Sequence, residues 1–158
     1  MGASGPKRNG FSPGPLPRSM GAAASDAPCI FCEIAARRSP AYVVYEDATT
    51  MAFLDLFPFT RGHLLVVPKR HGARLTDLPF DDQTALVRTL DEMCRRAERL
   101  TPDYNVALNA GAAAGQIVFH VHFHVIPRYG EANPFHPRTR ARLDEEEARA
   151  VARELAAG

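Results

Sequence analysis

The chain has 158 residues and a mass of 17.3 kDa, 46% hydrophobic and 23% charged, which is enough for one filled core and too little for two. With 19 Lys+Arg against 18 Asp+Glu its formal charge is +1, so no global basic field draws it onto nucleic acid. No apolar run approaches the roughly 20 residues that cross a bilayer, and the N-terminus carries no apolar signal-peptide core; a soluble, cytoplasmic protein is expected.

Residues 1–27 are rich in Gly and Pro, carry no acidic residue before Asp26 and show no periodicity; they are expected to form a disordered tail. Residues 28–158 are expected to form one domain. A short helix is expected over Glu33 to Arg38. Tyr42 to Asp47 and Thr50 to Leu56 read as two strands around a polar turn, an antiparallel hairpin. His63 to Pro68 is apolar enough to be a central strand covered on both faces. Apolar residues Leu86, Leu90, Met93, Ala97 and Leu100 recur every three or four positions, with Asp81 and Asp82 at one end and arginines at the other, which predicts one long helix over about 81–100. Tyr104 to Asn109 and Val118 to Pro127 give two more strands, separated by the loop Ala110 to Gln116. Residues 129–142 read as irregular and Leu143 to Ala157 as a C-terminal helix. Strands in runs, without a helix after each, predict an α+β fold with a five-stranded antiparallel sheet.

Chemistry concentrates in His120-Val-His-Phe-His-Val-Ile126. As a strand, this alternation places His120, His122 and His124 on one face at intervals of about 6.6 Å, with Val121, Phe123 and Val125 toward the core. Clustered imidazoles are costly because each charge opposes the next, so chance surface histidines are a weak explanation. A metal-centred site is one alternative. Phosphate chemistry is the other, because the loop Gly111 to Gly115 can direct backbone N–H groups at an anion just before the histidines.

The pattern His-φ-His-φ-His-φ-φ, with φ apolar, resembles the histidine triad (HIT) family of nucleotide hydrolases and transferases. The similarity extends to Cys29-Ile-Phe-Cys-Glu-Ile34, Phe53-Leu-Asp-Leu56, Gly62 to His71, Asn109, Gly115-Gln116 and His124 to Arg128, and it looks like the Hint branch. The resemblance implies a homodimer with a continuous ten-stranded sheet, and release of AMP or GMP from phosphoramidates, acyl adenylates or related purine nucleotides. By position, His122 is the nucleophile that becomes nucleotidylated, His124 donates to the phosphoryl oxygens, and His120 and His63 support them. Asp55 accepts the ribose hydroxyls, Leu56 lines a base pocket with Phe53 and Leu54, Asn109 lies near the α-phosphate or leaving group, and Gly115 and Gln116 add amide donors.

Cys29 and Cys32 form only half a metal site, and His71 is a third candidate ligand. In family members that begin with Cys-x2-Cys, a structural zinc is held by both thiolates, this histidine and the first triad histidine, which implies Cys29, Cys32, His71 and His120 here. Ile117 is a departure, because the family usually carries Ser or Thr after the Gly-Gln pair to hydrogen-bond the leaving group. That keeps open a dinucleoside polyphosphate hydrolase, and a nucleotide-binding regulatory protein without turnover.

Overall fold

A computed structural model describes residues 28–130 and 141–157. The expected tail and residues 131–140 of the stretch read as irregular lie outside the described residues.

The helix α1, Ile30–Ala35, starts three residues earlier than expected. Cys29 is extended and its carbonyl already accepts the Glu33 N–H at 3.0 Å, while Arg37, at φ 61°, lies just beyond the helix end. Strands β1, Val43–Glu46, and β2, Thr50–Leu54, pair antiparallel. Their turn is built by Asp47, whose Oδ1 accepts the N–H of Thr49 at 2.8 Å and of Thr50 at 2.7 Å, an Asx turn that fixes the hairpin register.

Strand β3, Leu64–Pro68, is buried along its whole length and sits at the centre. Helix α2, Phe80–Ala97, buries Leu86, Thr89, Met93 and Ala97, the face its spacing predicted. The chain continues through β4, Asp103–Leu108, and β5, Phe123–Arg128, to α3, Glu145–Ala156. The five strands form one antiparallel sheet in the order β1-β2-β3-β5-β4. Asp144 caps α3 by accepting the N–H groups of Glu146 and Glu147 at 3.0 and 3.1 Å, as an N-cap aspartate does.

Both faces of the sheet are covered. Ala52, Leu54, Leu64, Val66 and Val125 pack with residues of α2 and α3, whereas Met51, Phe53, Leu65 and Val67 pack with Phe31 and Ile34 of α1. Directly paired residues of antiparallel strands share a face, and His124 pairs with Leu65. The alternation along β3 and β5 therefore turns His124 toward α1 and leaves Val125 to the larger core.

The fifth strand corrects the expectation of Val118 to Pro127. Pairing with β3 begins at Phe123, so only His124 of the three histidines lies in a strand, and an even 6.6 Å ladder does not form. The alternation of burial persists without the strand: Val121 joins the α2 side, while His120 and His122 meet the Phe31 ring edge-on at 5.8 and 5.1 Å.

Candidate active site and metal centre

His120 is fully buried and makes two kinds of contact. Its Nε2–H donates to the carbonyl of Pro68, the last residue of β3, at 2.8 Å. That leaves Nδ1 as the lone-pair nitrogen, 3.5 Å from the Sγ atoms of both Cys29 and Cys32. Burial pushes the ring down to about 4, so it is neutral, the form that coordinates metals. Cys32 Sγ also lies 3.3 Å from Nδ1 of the exposed His71, and the four donor atoms all fall within 4.8 Å of one another.

This donor set fits a zinc ion. Zn–S of about 2.3 Å and Zn–N of about 2.05 Å at tetrahedral angles imply S···N edges of about 3.6 Å, against the 3.3 and 3.5 Å found here. Burial, reinforced by Cys29, pushes the Cys32 thiol up to about 11. The pocket on its own thus favours the thiol of Cys32 over its thiolate, and a cation is the partner that reverses this preference.

His122 follows on the same backbone. Its Nδ1–H donates to the carbonyl of His120 at 2.7 Å, leaving Nε2 with the lone pair. Burial holds its pKa below the ordinary imidazole value, although the bond to His120 works in the other direction. The His122 and His124 rings meet at 4.9 Å and 69°.

The protons of the remaining pair follow from a backbone donor. The Phe59 N–H donates to Nδ1 of His63 at 3.1 Å, so His63 carries its own proton on Nε2 and donates it to Nδ1 of His124 at 3.0 Å. His124 in turn carries its proton on Nε2. Asp55 follows β2 and reaches this group through its N–H, which donates to the His63 carbonyl at 2.9 Å. Its Oδ1 accepts the Phe57 N–H at 2.8 Å, and its Oδ2 stands 3.6 Å from His63 Nδ1.

His122, His124, Asp55, Leu56, Asn109 and Gly115 line one cavity of about 420 Å³, whose apolar wall includes Phe31, Phe53 and Leu54. Two imidazole nitrogens of opposite character, a lone pair on His122 and an N–H on His124, thus share a cavity with a carboxylate and an aromatic wall. A nucleophile and a proton donor can act there on one electrophilic centre.

Gln116 is placed differently from its expectation. Its side chain is buried away from the cavity, with Oε1 accepting the Gly111 N–H at 2.7 Å and Nε2 donating to the carbonyls of Ala73 at 2.7 Å and Val118 at 3.1 Å. The Gly115 and Gln116 N–H groups are also engaged inside the loop, with Ala112 and Gly111 carbonyls at 2.9 and 3.1 Å. These bonds take the Gly115 and Gln116 amides that were expected to face an anion. The Ile117 N–H is the next amide along, and it makes no hydrogen bond among the described residues.

Four contributors were not anticipated from the sequence: the Phe59 amide, the Pro68 and His120 carbonyls and the Phe31 ring. Only Phe31, inside Cys-x2-Cys, offered a signal, as a large apolar residue held between two candidate ligands.

A five-stranded antiparallel sheet that gathers three alternating histidines at its α1 face defines a histidine triad protein. The model of the HIT domain matches residues 36–131, and the chain belongs to that family. It is 48% identical over 102 residues to the uncharacterized HIT-like protein Rv1262c of Mycobacterium tuberculosis, covering 63% of this chain and 71% of that one. It is 43% identical over 115 residues to adenosine 5'-monophosphoramidase HNT1 of Candida albicans, covering 69% and 76%. Among solved structures, a Zn-bound histidine triad family protein from Mycobacterium smegmatis superposes with a TM-score of 0.69 at 37% identity, covering 82% of this chain and 91% of that one.

Proposed function

We propose that this protein is a Hint-like nucleotide hydrolase that releases AMP or GMP from phosphoramidates, acyl adenylates or related conjugates through a covalent nucleotidyl-His122. The observation that carries this reading is the His122 tautomer: the His120 carbonyl holds the proton on Nδ1, and Nε2 is left as a neutral nucleophile in the cavity. The Candida relative's name, a monophosphoramidase, agrees with it.

In the first step the Nε2 lone pair attacks the α-phosphorus, and the bond to the leaving group breaks with its electron pair on that group. His124 Nε2–H, oriented through His63 by the Phe59 amide, hydrogen-bonds to the phosphoryl oxygens as negative charge builds on them, while an amine leaving group takes the proton it needs from solvent. Such preoriented donors act most strongly in sites that exclude water. Water then attacks phosphorus and releases a proton to solvent, the P–N bond to His122 breaks with its electron pair returning to Nε2, and the nucleotide leaves. Asp55 accepts from the ribose hydroxyls, since a carboxylate offers only acceptors to two vicinal donors. Phe31, Phe53, Leu54 and Leu56 enclose the base, Asn109 lies toward the leaving group, and the Ile117 amide takes over the donor role first assigned to Gly115 and Gln116.

Cys29, Cys32, His71 and His120 hold a structural zinc in this reading. When bound, it supplies no open coordination position and serves to fix the loop that carries His120 and His122. A homodimer forms through the edge strand β4, where Val106 is exposed. Among the described residues no helix is long and apolar enough to cross a membrane, and the cytoplasm is the proposed location.

The test is AMP release from an adenosine phosphoramidate, an acyl adenylate and diadenosine polyphosphates, with wild type and His122→Ala compared. Release from one of the first two that vanishes in the variant supports the proposal. Preference for the polyphosphates makes the protein a dinucleoside polyphosphate hydrolase, and AMP binding without release from any compound makes it a nucleotide-binding module.

A further inference from the structure

Ile117 is 81% exposed, the highest value among the large apolar residues described. Its exposure is imposed by the loop. Gln116 on one side is buried and bonded to Gly111, Ala73 and Val118, the last of these bonds bridging across Ile117 itself. Val118 on the other side packs against the α1 core, and Gly115 takes a left-handed turn at φ +83° that a side chain would strain. The backbone on both flanks is fixed, so the isoleucine is held outward.

Ile117 also lines the cavity that contains His122 and His124. The loop leading to it reads Ala110-Gly-Ala-Ala-Ala-Gly115, with no polar side chain until the inward-turned Gln116. Ile30 and Phe57, 45% and 49% exposed, line the same cavity. Apolar side chains fixed at the rim of a site mark contact with an apolar part of its ligand. The base already has the buried wall formed by Phe31 and Phe53, which leaves the rim for the other end of the conjugate.

Resting on the hydrolase reading above, we infer that Ile117 is a specificity-determining residue that selects conjugates whose leaving group carries an apolar alkyl or aryl body next to the scissile bond. The selection concerns the body of the leaving group and is independent of the linking atom. An acyl carboxylate departs with the electron pair of the P–O bond and needs no proton. An alkylamine departs with the pair of the P–N bond and takes its proton from solvent.

The test uses two adenosine phosphoramidates of equal linkage and similar length, one of n-hexylamine and one of 2-(2-aminoethoxy)ethanol, with wild type, Ile117→Ser and Ile117→Leu. Wild type should favour the hexyl conjugate in kcat/KM. Ile117→Ser should lower the hexyl-to-ether ratio by about tenfold, the scale of discrimination an apolar contact supplies, and Ile117→Leu should restore it. Equal kcat/KM for the two conjugates in wild type overturns the inference while leaving the hydrolase reading intact. So does a parallel loss for both conjugates in Ile117→Ser together with a shift from dimer to monomer in sedimentation, which would make Ile117 an interface residue. No AMP from either conjugate with wild type removes the hydrolase reading, and the inference with it.

Discussion

His120 and His122 are two positions apart, both buried, and chemically identical, yet they face opposite tasks. His120 gives its Nε2 proton to the Pro68 carbonyl and turns Nδ1 to two thiols. His122 gives its Nδ1 proton to the His120 carbonyl and turns Nε2 to the cavity. The role of each ring is set by which nitrogen the backbone engages, and a single residue, His120, joins the two regions: its ring belongs to the metal-type cluster and its carbonyl orients the proposed nucleophile.

The largest expected effect falls on His122. His122→Ala should lower AMP release by at least about 10⁴-fold, the scale on which covalent nucleophiles act, with folding intact by thermal denaturation. The metal-type region should answer in stability first. Cys29→Ser with Cys32→Ser should remove bound zinc, measured by elemental analysis, and cost more than about 4 kcal/mol, the range reached when a structural metal is lost. For a domain of this size that is a fall in Tm on the order of 10 °C. A double variant with unchanged metal content and Tm would separate the cluster from the fold.

His124→Asn should lower kcat by about 10²–10³-fold with Tm close to wild type, because it removes a donor facing the phosphoryl group and leaves the metal-type cluster in place. Gln116→Ala should be the mildest. It removes three hydrogen bonds and leaves the Gly111 N–H without its partner, a loss of about 2 kcal/mol in urea denaturation. Gln116 lies outside the cavity, so its effect should fall on stability ahead of KM.

Much of this was legible in the sequence because it depends on periodicity. The three- and four-residue spacing from Leu86 to Ala97 gave the buried face of α2, the continuous apolar run of Leu64 to Pro68 gave the central strand, and the alternation from His120 to Val125 separated two faces correctly. What failed depends on hydrogen bonds that composition does not encode. Alternation does not reveal where pairing to β3 begins, so β5 was drawn five residues too early. A glutamine beside a glycine-containing loop reads equally as an anion contact or as a clasp, and three bonds inside the chain make Gln116 the clasp. Tautomers were beyond reach altogether, since they depend on the carbonyls of Pro68 and His120 and on the amide of Phe59. The grouping of Cys29, Cys32, His71 and His120 came only by way of the family resemblance, because no spacing rule links residues 91 positions apart.

The most direct test of the central claim, that His122 is the nucleophile, is intact-mass analysis of enzyme acid-quenched during turnover of an adenosine phosphoramidate, followed by peptide mapping under conditions that preserve phosphorus–nitrogen bonds. The expected result is a mass gain of one adenylyl group on the peptide containing His122, absent in His122→Ala. Adenylyl transfer to another residue, or an adduct that persists in His122→Ala, would contradict it.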